Sequence, residues 1–259
     1  MDEEEEIVNT IAPKSLNDIK GSIEFKNVWF EYKEGEAVLR DVSFSAKPGE
    51  TIAFVGSTGS GKTTVMNLLT RMYDIQKGEI LVDGINIKEY DKHELRNKIS
   101  VVLQDVFVFS GNIRKNISLH APISLEEIKT VTKFVNASNF IEKLDKQYDS
   151  EVTERGSTLS QGQRQLLSFA RALAFNPDIL ILDEATSSID TETEALIQDA
   201  INKIVKNRTT FIVAHRLSTI QNADKIIVLH KGKIRETGNH NELLKHRGIY
   251  YNLYQLQYQ

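Results

Sequence analysis

The chain has 259 residues, of which 40% are hydrophobic and 26% are charged, a balance typical of a globular protein with enough apolar side chains for one large core. The formal charge of −4 and the isoelectric point near 5.9 argue against nucleic acid as a partner, because a nucleic-acid surface needs an excess of Lys and Arg. The absence of Cys excludes disulfide bonds, thiolate metal sites and thiol catalysis.

The first 20 residues are mostly polar, and residues 2–6 are all acidic. A terminal block of like charges usually forms a solvated tail, and Pro13 would break a helix. We therefore expect residues 1–20 to form an acidic linker and residues 21–259 to form the folded domain. No apolar run approaches the roughly 18 to 20 residues that cross a bilayer, so we expect this part of the protein to be soluble.

Strand and helix patterns alternate along the rest of the chain. Alternating apolar residues at 23–30 and 42–46 predict half-buried antiparallel strands. The runs at 52–55, 179–182 and 211–214 are apolar throughout, which is typical of parallel strands covered by helices. Helical periodicity appears at 64–72, 126–137, 161–174 and 193–205, and residues from about 90 to 175 look mostly helical. We predict an α/β fold with a mainly parallel sheet, an antiparallel β lobe and an inserted α-helical subdomain.

A glycine-rich loop follows the first buried strand. Residues 56–63 match G-x-x-x-x-G-K-[ST], with a strand before the loop and a helix after it. Such a loop turns backbone N–H groups towards phosphate oxygens, while Lys62 supplies charge to the β- and γ-phosphates and Thr63 ligates Mg²⁺. The pattern predicts a RecA-like P-loop NTPase core. The predicted nucleotide-binding residues here are Gly56, Ser57, Thr58, Gly59, Ser60, Gly61, Lys62, Thr63 and Thr64.

Two carboxylates follow the second buried strand. Asp183 and Glu184 would lie at the carboxyl edge of the sheet, where α/β proteins bind ligands. There Asp183 could hold Mg²⁺ through water, and Glu184 could act on the attacking water as a general base. An acidic pair before a helix can also serve as a helix cap. The P-loop in the same chain favours the catalytic interpretation.

Two further polar residues follow strands and would point to the same edge. His215 comes directly after the third buried strand and could donate a hydrogen bond to a γ-phosphate. Gln104 follows the apolar run at 99–103 and could ligate Mg²⁺ or position water. A lone His or Gln after a strand is more often an exposed loop residue.

Residues 159–165 read Leu-Ser-Gln-Gly-Gln-Arg-Gln and precede the second buried strand. With the motifs above, this stretch resembles the signature of the nucleotide-binding domains of ABC transporters, and the resemblance extends over about residues 21–255. It implies ATP and Mg²⁺ as cofactors and an ATPase activity. It also implies that Tyr32 stacks on adenine and that Gln104 links the Mg²⁺ site to a membrane domain.

The resemblance assigns the remaining motifs as well. Asp183 and Glu184 match the Walker B aspartate and the catalytic glutamate, residues 187–190 match the D-loop, and His215 matches the switch histidine. In this family two domains enclose two ATP molecules head to tail. We therefore expect Ser160 and the backbone amides of Gly162 and Gln163, besides capping their helix, to bind the γ-phosphate held by a second domain. A monomer should hydrolyse ATP poorly.

Two stretches resemble exporters in particular. Residues 106–113 are similar to the segment after the exporter Q-loop, and residues 151–156 are similar to the X-loop that touches the coupling helices. We expect the motor domain of an exporter at the cytoplasmic face of the membrane, with a transmembrane domain that is left off or encoded elsewhere. The Gln104 region and the X-loop would contact that domain.

Two positions depart from the family pattern. Gln161 stands where the signature usually has Gly, and Thr153 stands where the X-loop often has Gly. These departures resemble one subunit of a heterodimeric bacterial multidrug or lipid exporter, although functional homodimers also carry single signature substitutions. The alternatives are a nucleotide-gated regulatory domain with little turnover and a soluble ABC ATPase outside transport.

Overall fold

The computed structural model describes residues 7–10, 12–16, 19–153, 156–184, 190–214 and 220–257, and only the backbone of Glu184, Ala214 and Gln257. The strands are β1 (Ile23–Glu31), β2 (Ala37–Ala46), β3 (Thr51–Val55), β4 (Lys77–Val82), β5 (Ile85–Asn86), β6 (Ile99–Val102), β7 (Gly111–Asn112), β8 (Glu151–Val152), β9 (Ile179–Glu184), β10 (Thr209–Ala214), β11 (Lys225–His230) and β12 (Lys233–Gly238). The helices are α1 (Lys62–Leu69), α2 (Lys92–Asn97), α3 (Ile113–Ser118), α4 (Leu125–Phe134), α5 (Ser138–Ile141), α6 (Gln161–Ala174), α7 (Thr191–Ile204), α8 (His240–His246) and α9 (Ile249–Gln257).

A six-stranded sheet with the order β12-β11-β3-β10-β9-β6 forms the centre of the fold. Its strands run parallel except β12, which pairs antiparallel with β11 at one edge. Alternate side chains of β3 enter different cores: Ala53 and Val55 join the core on the helical side, and Ile52 and Phe54 join the core beneath the antiparallel lobe. Burial on both faces explains the unbroken apolar runs. The three predicted buried strands are confirmed.

The antiparallel lobe is a four-stranded sheet with the order β2-β1-β4-β5. It confirms the predicted lobe, although β2 begins at Ala37 rather than at residue 42. The ring of Phe44 stacks on Phe25 at 4.5 Å and meets Phe54 of the central sheet at 5.3 Å. These aromatic contacts join the lobe to the strand that precedes the glycine-rich loop.

The helix boundaries follow their caps. Helix α6 has the predicted bounds. Its start is fixed by the capping box that Ser160 and Gln163 form. Helix α1 begins earlier than predicted, directly after Gly61, which has a φ of 107°. Helix α4 ends at Phe134 rather than at 137, because Asn136 adopts a φ of 62°. Within the described ranges, none of the helices combines the length and apolar character needed to span a bilayer.

Residues between 90 and 175 do not all lie apart from the sheet. Strand β6 pairs with β9 inside the central sheet, and α2 packs against β6. The helices that pack on α6, namely α3, α4 and α7, cover one side of the sheet. The short strands β7 and β8 form a separate pair beside them.

Part of the N-terminal segment packs on the domain, although the sequence patterns predict order only from Gly21. Leu16 is buried, and its backbone N–H donates to Glu94 at 2.9 Å. The carbonyl of Val8 accepts a bond of 3.1 Å from Arg71. Asn9 pairs with the N-cap carboxylate of α2, Asp91, at 2.6 Å. These polar contacts are long-range, so local hydrophobic periodicity could not reveal them.

The hairpin between β11 and β12 supports the glycine-rich loop. Lys231 and Gly232 form its two-residue turn with φ values of 50° and 73°, as a type I′ turn requires. The N–H of Gly232 donates to the carbonyl of Ser60 at 3.1 Å. A Cβ atom at residue 232 would lie only 2.1 Å from the carbonyl oxygen of Val38. The turn is therefore packed tightly between β2 and the glycine-rich loop, and there is no space for a side chain at residue 232.

Replacing Gly232 by Ala should destabilise the protein more than replacing Gly35, whose φ is 83° but whose Cβ would meet nothing within 4 Å. Both variants incur the left-handed strain of about 1 to 2 kcal/mol. Only Gly232→Ala adds the collision with Val38, so we expect a total loss of about 3 kcal/mol or more. Urea unfolding of both variants measures the difference, and equal losses would contradict the close approach.

Candidate functional site

The glycine-rich loop joins β3 to α1 at the carboxyl edge of the central sheet. A Cβ atom at Gly56 would lie 2.2 Å from the carbonyl oxygen of Leu229, and one at Gly61 would lie 2.6 Å from a methyl carbon of Leu39. Both positions therefore need glycine for close packing as well as for their positive φ. The loop leads into the N-terminus of α1, which provides free N–H groups and a positive dipole end for an anion.

Lys62 lies inside the loop with only 6% of its surface exposed. Its Nζ donates to the carbonyl oxygens of Gly56 at 2.8 Å and Ser57 at 3.1 Å. Burial lowers the pKa of Lys62, and the nearby carboxylate of Asp183 raises it in part. The structure therefore brings together the predicted phosphate-binding lysine and the predicted Walker B aspartate. A phosphate group could replace the two carbonyl contacts with a full negative charge.

The register of the parallel strands brings other predicted residues to this edge. In β9, Asp183 and Glu184 pair with Val213 and Ala214 at the end of β10. His215 follows β10 directly and lies outside the described residues, as do residues 187–189 of the predicted D-loop. The structure thus describes the two acidic positions at the sheet edge, and the role of His215 stays a prediction.

Gln104 comes two residues after β6, which pairs with β9, and its side chain is exposed. It lines a depression of about 320 Å³ together with Gln161 and Arg164 at the start of α6. Gln104 therefore lies between the carboxyl edge of the sheet and the signature stretch. Thr63, another of the three predicted Mg²⁺ ligands, is exposed in the first turn of α1.

Tyr32 lies just beyond β1 and is close to α1. Its hydroxyl donates to Oγ1 of Thr64 at 3.2 Å and accepts a bond from the side chain of Asn67 at 3.3 Å. Tyr32 is 46% exposed, so one part of its ring surface is free for contact with a ligand. The residue predicted to stack on a base is thus attached to the helix that begins at the phosphate-binding loop.

The signature stretch forms the cap of α6. Oγ of Ser160 accepts the N–H of Gln163 at 3.2 Å, and Oε1 of Gln163 accepts the N–H of Ser160 at 2.9 Å. The amide predicted to bind an anion is therefore already bonded inside the chain, while Gly162 is buried. Ser160 lines a groove of about 530 Å³, and none of its described lining residues belongs to the 56–64 loop. These lining residues are Asn136, Asn139, Phe140, Glu142, Lys143, Ser160, Gln163, Leu166, Glu192, Thr193 and Leu196.

The two stretches that resemble exporters meet in the structure. Gly111 and Asn112 of β7 pair with Val152 and Glu151 of β8. A Cβ atom at Gly156, the last residue of the second stretch, would lie 3.1 Å from Val108 in the first. Residues 154 and 155 lie outside the described part of the chain. The sequence carried no signal for this pairing, because each strand contains only two residues.

Asn116 and Arg171 were not identified from the sequence, yet they hold the 107–109 segment in place. Asn116 is 1% exposed, and its side chain both accepts from the N–H of Phe109 and donates to its carbonyl at 2.9 Å. Arg171 of α6 donates to the carbonyl of Phe107 at 2.9 Å and to the carbonyl and side chain of Asn116 at 2.8 and 3.2 Å. Burial lowers the pKa of Arg171. The only sign of this network in the sequence was an arginine within a predicted helix that is rich in apolar residues.

A groove of about 570 Å³ runs beside this network. Five of its described lining residues are exposed large apolar side chains, those of Val101, Leu103, Phe107, Leu119 and Phe175. Exposed apolar surface of this kind is typical of a protein contact site. The groove begins next to Gln104, so it continues from the carboxyl edge of the sheet.

Comparison with known proteins gives the family. Residues 39–187 match the model of the ABC transporter family. The chain belongs to the ABC transporter family. Domains of this family bind ATP with Mg²⁺ and hydrolyse it, so the predicted cofactors, ATPase activity and P-loop NTPase fold are confirmed.

The relatives of this ABC domain are longer proteins. The Bacillus subtilis relative YheH, provisionally named a multidrug resistance ABC transporter ATP-binding/permease protein, is 55% identical over 92% of this chain and 35% of its own length. A Staphylococcus aureus relative, provisionally named a multidrug export ATP-binding/permease protein, is 48% identical over 99% of this chain and 45% of its own length. The chain therefore spans less than half the length of these relatives.

A solved structure of a bacterial Atm1-family ABC exporter with ATP bound has a TM-score of 0.91 and 38% identity. The match covers 97% of this chain and 44% of that exporter chain. The antiparallel lobe, the central sheet and the helices of this ABC domain thus belong to an arrangement known from an exporter.

Replacing Asn116 by Ala should lower the free energy of unfolding by about 2 to 4 kcal/mol, because backbone groups of residues 109 and 112 lose their partner and the buried guanidinium of Arg171 loses one of its three acceptors. Asn139 on α5 is exposed and provides a control, since an Ala there should change stability by less than about 0.5 kcal/mol. Urea denaturation compares the two variants. Similar stabilities would mean that Asn116 does not organise the segment.

Proposed function

We propose that this chain is the ATP-hydrolysing motor domain of an ABC exporter and that it acts as a head-to-tail dimer. The observation that carries the proposal is the position of Lys62 inside the phosphate-binding loop beside Asp183, with Glu184 next in the strand. This arrangement provides a cation for phosphate oxygens, an acidic metal ligand and a base at one edge of the sheet. The similarity to named exporter proteins supports export as the process that ATP drives.

Each residue at this edge has a proposed role. Residues 56–64 bind the phosphates, and Tyr32 stacks on the base. Thr63 and Gln104 would hold Mg²⁺, and Asp183 would hold it through water, so that the ion would offset negative charge on the phosphates. Glu184 accepts a proton from the attacking water, and His215 and Lys62 stabilise the charge that develops on the γ-phosphate.

A second ABC domain completes each site in this proposal. Ser160 lines a groove, and none of the described lining residues belongs to the phosphate-binding loop, which supports a signature that meets a nucleotide held by another domain. We propose that Ser160, Gly162 and Gln163 contact that γ-phosphate from the N-terminus of α6. Gln161 is half-buried in the first turn, where a side chain restricts the approach of a phosphate. This restriction favours a heterodimer in which the partner carries the unaltered signature.

A transmembrane domain is the second proposed partner. We propose that its coupling helices contact the Gln104 region, the apolar groove beside Phe107 and the X-loop at residues 151–156. The pairing of β7 with β8 supports this surface, because it joins both exporter-like stretches. The domain then works at the cytoplasmic face of the membrane. In this proposal residues 1–20 form a linker that packs in part on the domain, and residues 21–259 form the ABC domain. The helical subdomain lies within about 90–175, apart from α2 and β6, which belong with the central sheet.

Replacing Glu184 by Gln should lower ATP turnover by about 100-fold or more while ATP affinity stays within about threefold, because a neutral amide cannot accept the proton of water. Steady-state phosphate release at increasing protein concentration measures turnover, and light scattering with Mg-ATP measures the mass. The variant should accumulate as an ATP-bound dimer. Unchanged turnover would contradict catalysis by Glu184 and favour a regulatory domain.

Replacing Ser160 by Ala separates its structural role from its catalytic role. Ser124 caps α4 with the same kind of capping box, so each alanine variant should lose about 1 kcal/mol of stability. Only Ser160→Ala should also lower the concentration-dependent ATPase rate, since Ser124 is not part of the proposed site. Equal rates for both variants would count against a composite site that uses Ser160.

A further inference from the structure

Tyr32 belongs to a cluster of three aromatic rings, here called the tyrosine cluster, formed by Phe30, Tyr32 and Tyr73. The Tyr32 ring meets Phe30 at 4.7 Å with an interplanar angle of 88° and meets Tyr73 at 5.0 Å with an angle of 86°. Phe30 and Tyr73 also touch each other at 5.7 Å. Aromatic rings prefer this edge-to-face geometry. Two perpendicular neighbours therefore define the plane of the Tyr32 ring.

The hydroxyl end of Tyr32 is held as well. It bonds to Thr64 and Asn67, which both lie on α1, the helix that begins at Lys62. Thr64 is 5% exposed, so its position is determined by the packing of α1. The ring of Tyr32 is consequently tied to the phosphate-binding loop through one rigid helix.

The tyrosine cluster lies at the surface, where a free side chain would sample several rotamers. Phe30 is buried, but Tyr32 and Tyr73 are 46% and 38% exposed. Fixing such a side chain costs conformational entropy, and a ligand gains affinity when the protein has already met that cost. Contacts made by Tyr73 and Asn67 hold the Tyr32 ring in one orientation before any ligand binds.

We infer that Tyr73 and Asn67 are positioning residues that preorganise Tyr32 for stacking on the base of ATP. The inference rests on the proposed function, in which Tyr32 contacts the base and the 56–64 loop binds the phosphates. Tyr73 sets the plane of the ring, and Asn67 sets its distance from the loop. Neither residue needs to touch the phosphates, so their effect is confined to the base portion of the ligand.

This confinement defines the experiment. Calorimetry of the intact chain compares the dissociation constants of Mg-ATP and Mg-tripolyphosphate, which shares the phosphates but has no base. Tyr32→Ala should weaken ATP binding by about 5- to 100-fold, the range of base stacking on an aromatic side chain. Tyr73→Leu and Asn67→Ala should each weaken ATP binding by about 2- to 10-fold, the range of an aromatic pair for Tyr73 and of one hydrogen bond for Asn67. All three should leave tripolyphosphate affinity unchanged.

Two control variants sharpen the comparison. Tyr73→Phe keeps the ring, so it should restore ATP affinity to that of the wild type. Tyr251→Leu alters another partly exposed tyrosine, on α9, and should leave the affinity for both ligands unchanged. If Tyr73 had only a structural role, Tyr73→Leu would lower the affinity for both ligands by the same factor, and the inference would be overturned.

The remaining outcomes separate the inference from the proposed function. If Tyr32→Ala weakens ATP binding selectively and the Tyr73 and Asn67 variants do not, the positioning inference is wrong and the proposed base contact stands. If Tyr32→Ala leaves ATP binding unchanged, Tyr32 does not bind the base, and both the positioning inference and the proposed base contact are overturned.

Discussion

Burial of β3 on both faces, between β11 and β10, is the constraint on which the candidate site depends. Because β3 cannot shift without opening two cores, the loop after Val55 leaves the sheet at a fixed point. There Gly56 passes so close to the carbonyl of Leu229 that a side chain is excluded. The parallel register then brings the ends of β9 and β6 to the same edge. The positions of Lys62, Asp183 and Gln104 all follow from this strand.

The electrostatics of the loop follow from its closed shape. Lys62 is buried and bonded to two backbone carbonyls, so its charge is compensated by dipoles and by the carboxylate of Asp183. The two hydrogen bonds to neutral carbonyls are weaker than hydrogen bonds to an anion would be. A triphosphate is therefore attracted to a loop whose cation is already in place. Beside it, Tyr32 is held by contacts to the same helix, so the proposed base subsite and the phosphate-binding loop share one rigid support.

Helix α6 connects the surfaces proposed for the two partners. Its N-terminus carries the signature stretch. Arg171, near its other end, bonds directly to Phe107 and also to Asn116, which holds Phe109. Phe107 of that segment is exposed in the apolar groove. A displacement of α6 by a second ABC domain would therefore move the groove as well. The physical basis of such coupling is a buried guanidinium whose hydrogen bonds would be costly to break.

The sequence by itself determined the features that local chemistry encodes. The phosphate-binding loop, the three buried strands, the antiparallel lobe and the bounds of α6 could be predicted, because periodicity, glycines and a capping box act within a few residues. Roles for Glu184 and His215 stay predictions, since the described residues do not include their side chains. Only the tertiary structure decided the packing of Leu16, the pairing of β7 with β8 and the contacts of Tyr73, Asn67, Asn116 and Arg171. These depend on groups far apart in the chain, and their partners exist only once the sheet and helices have packed together.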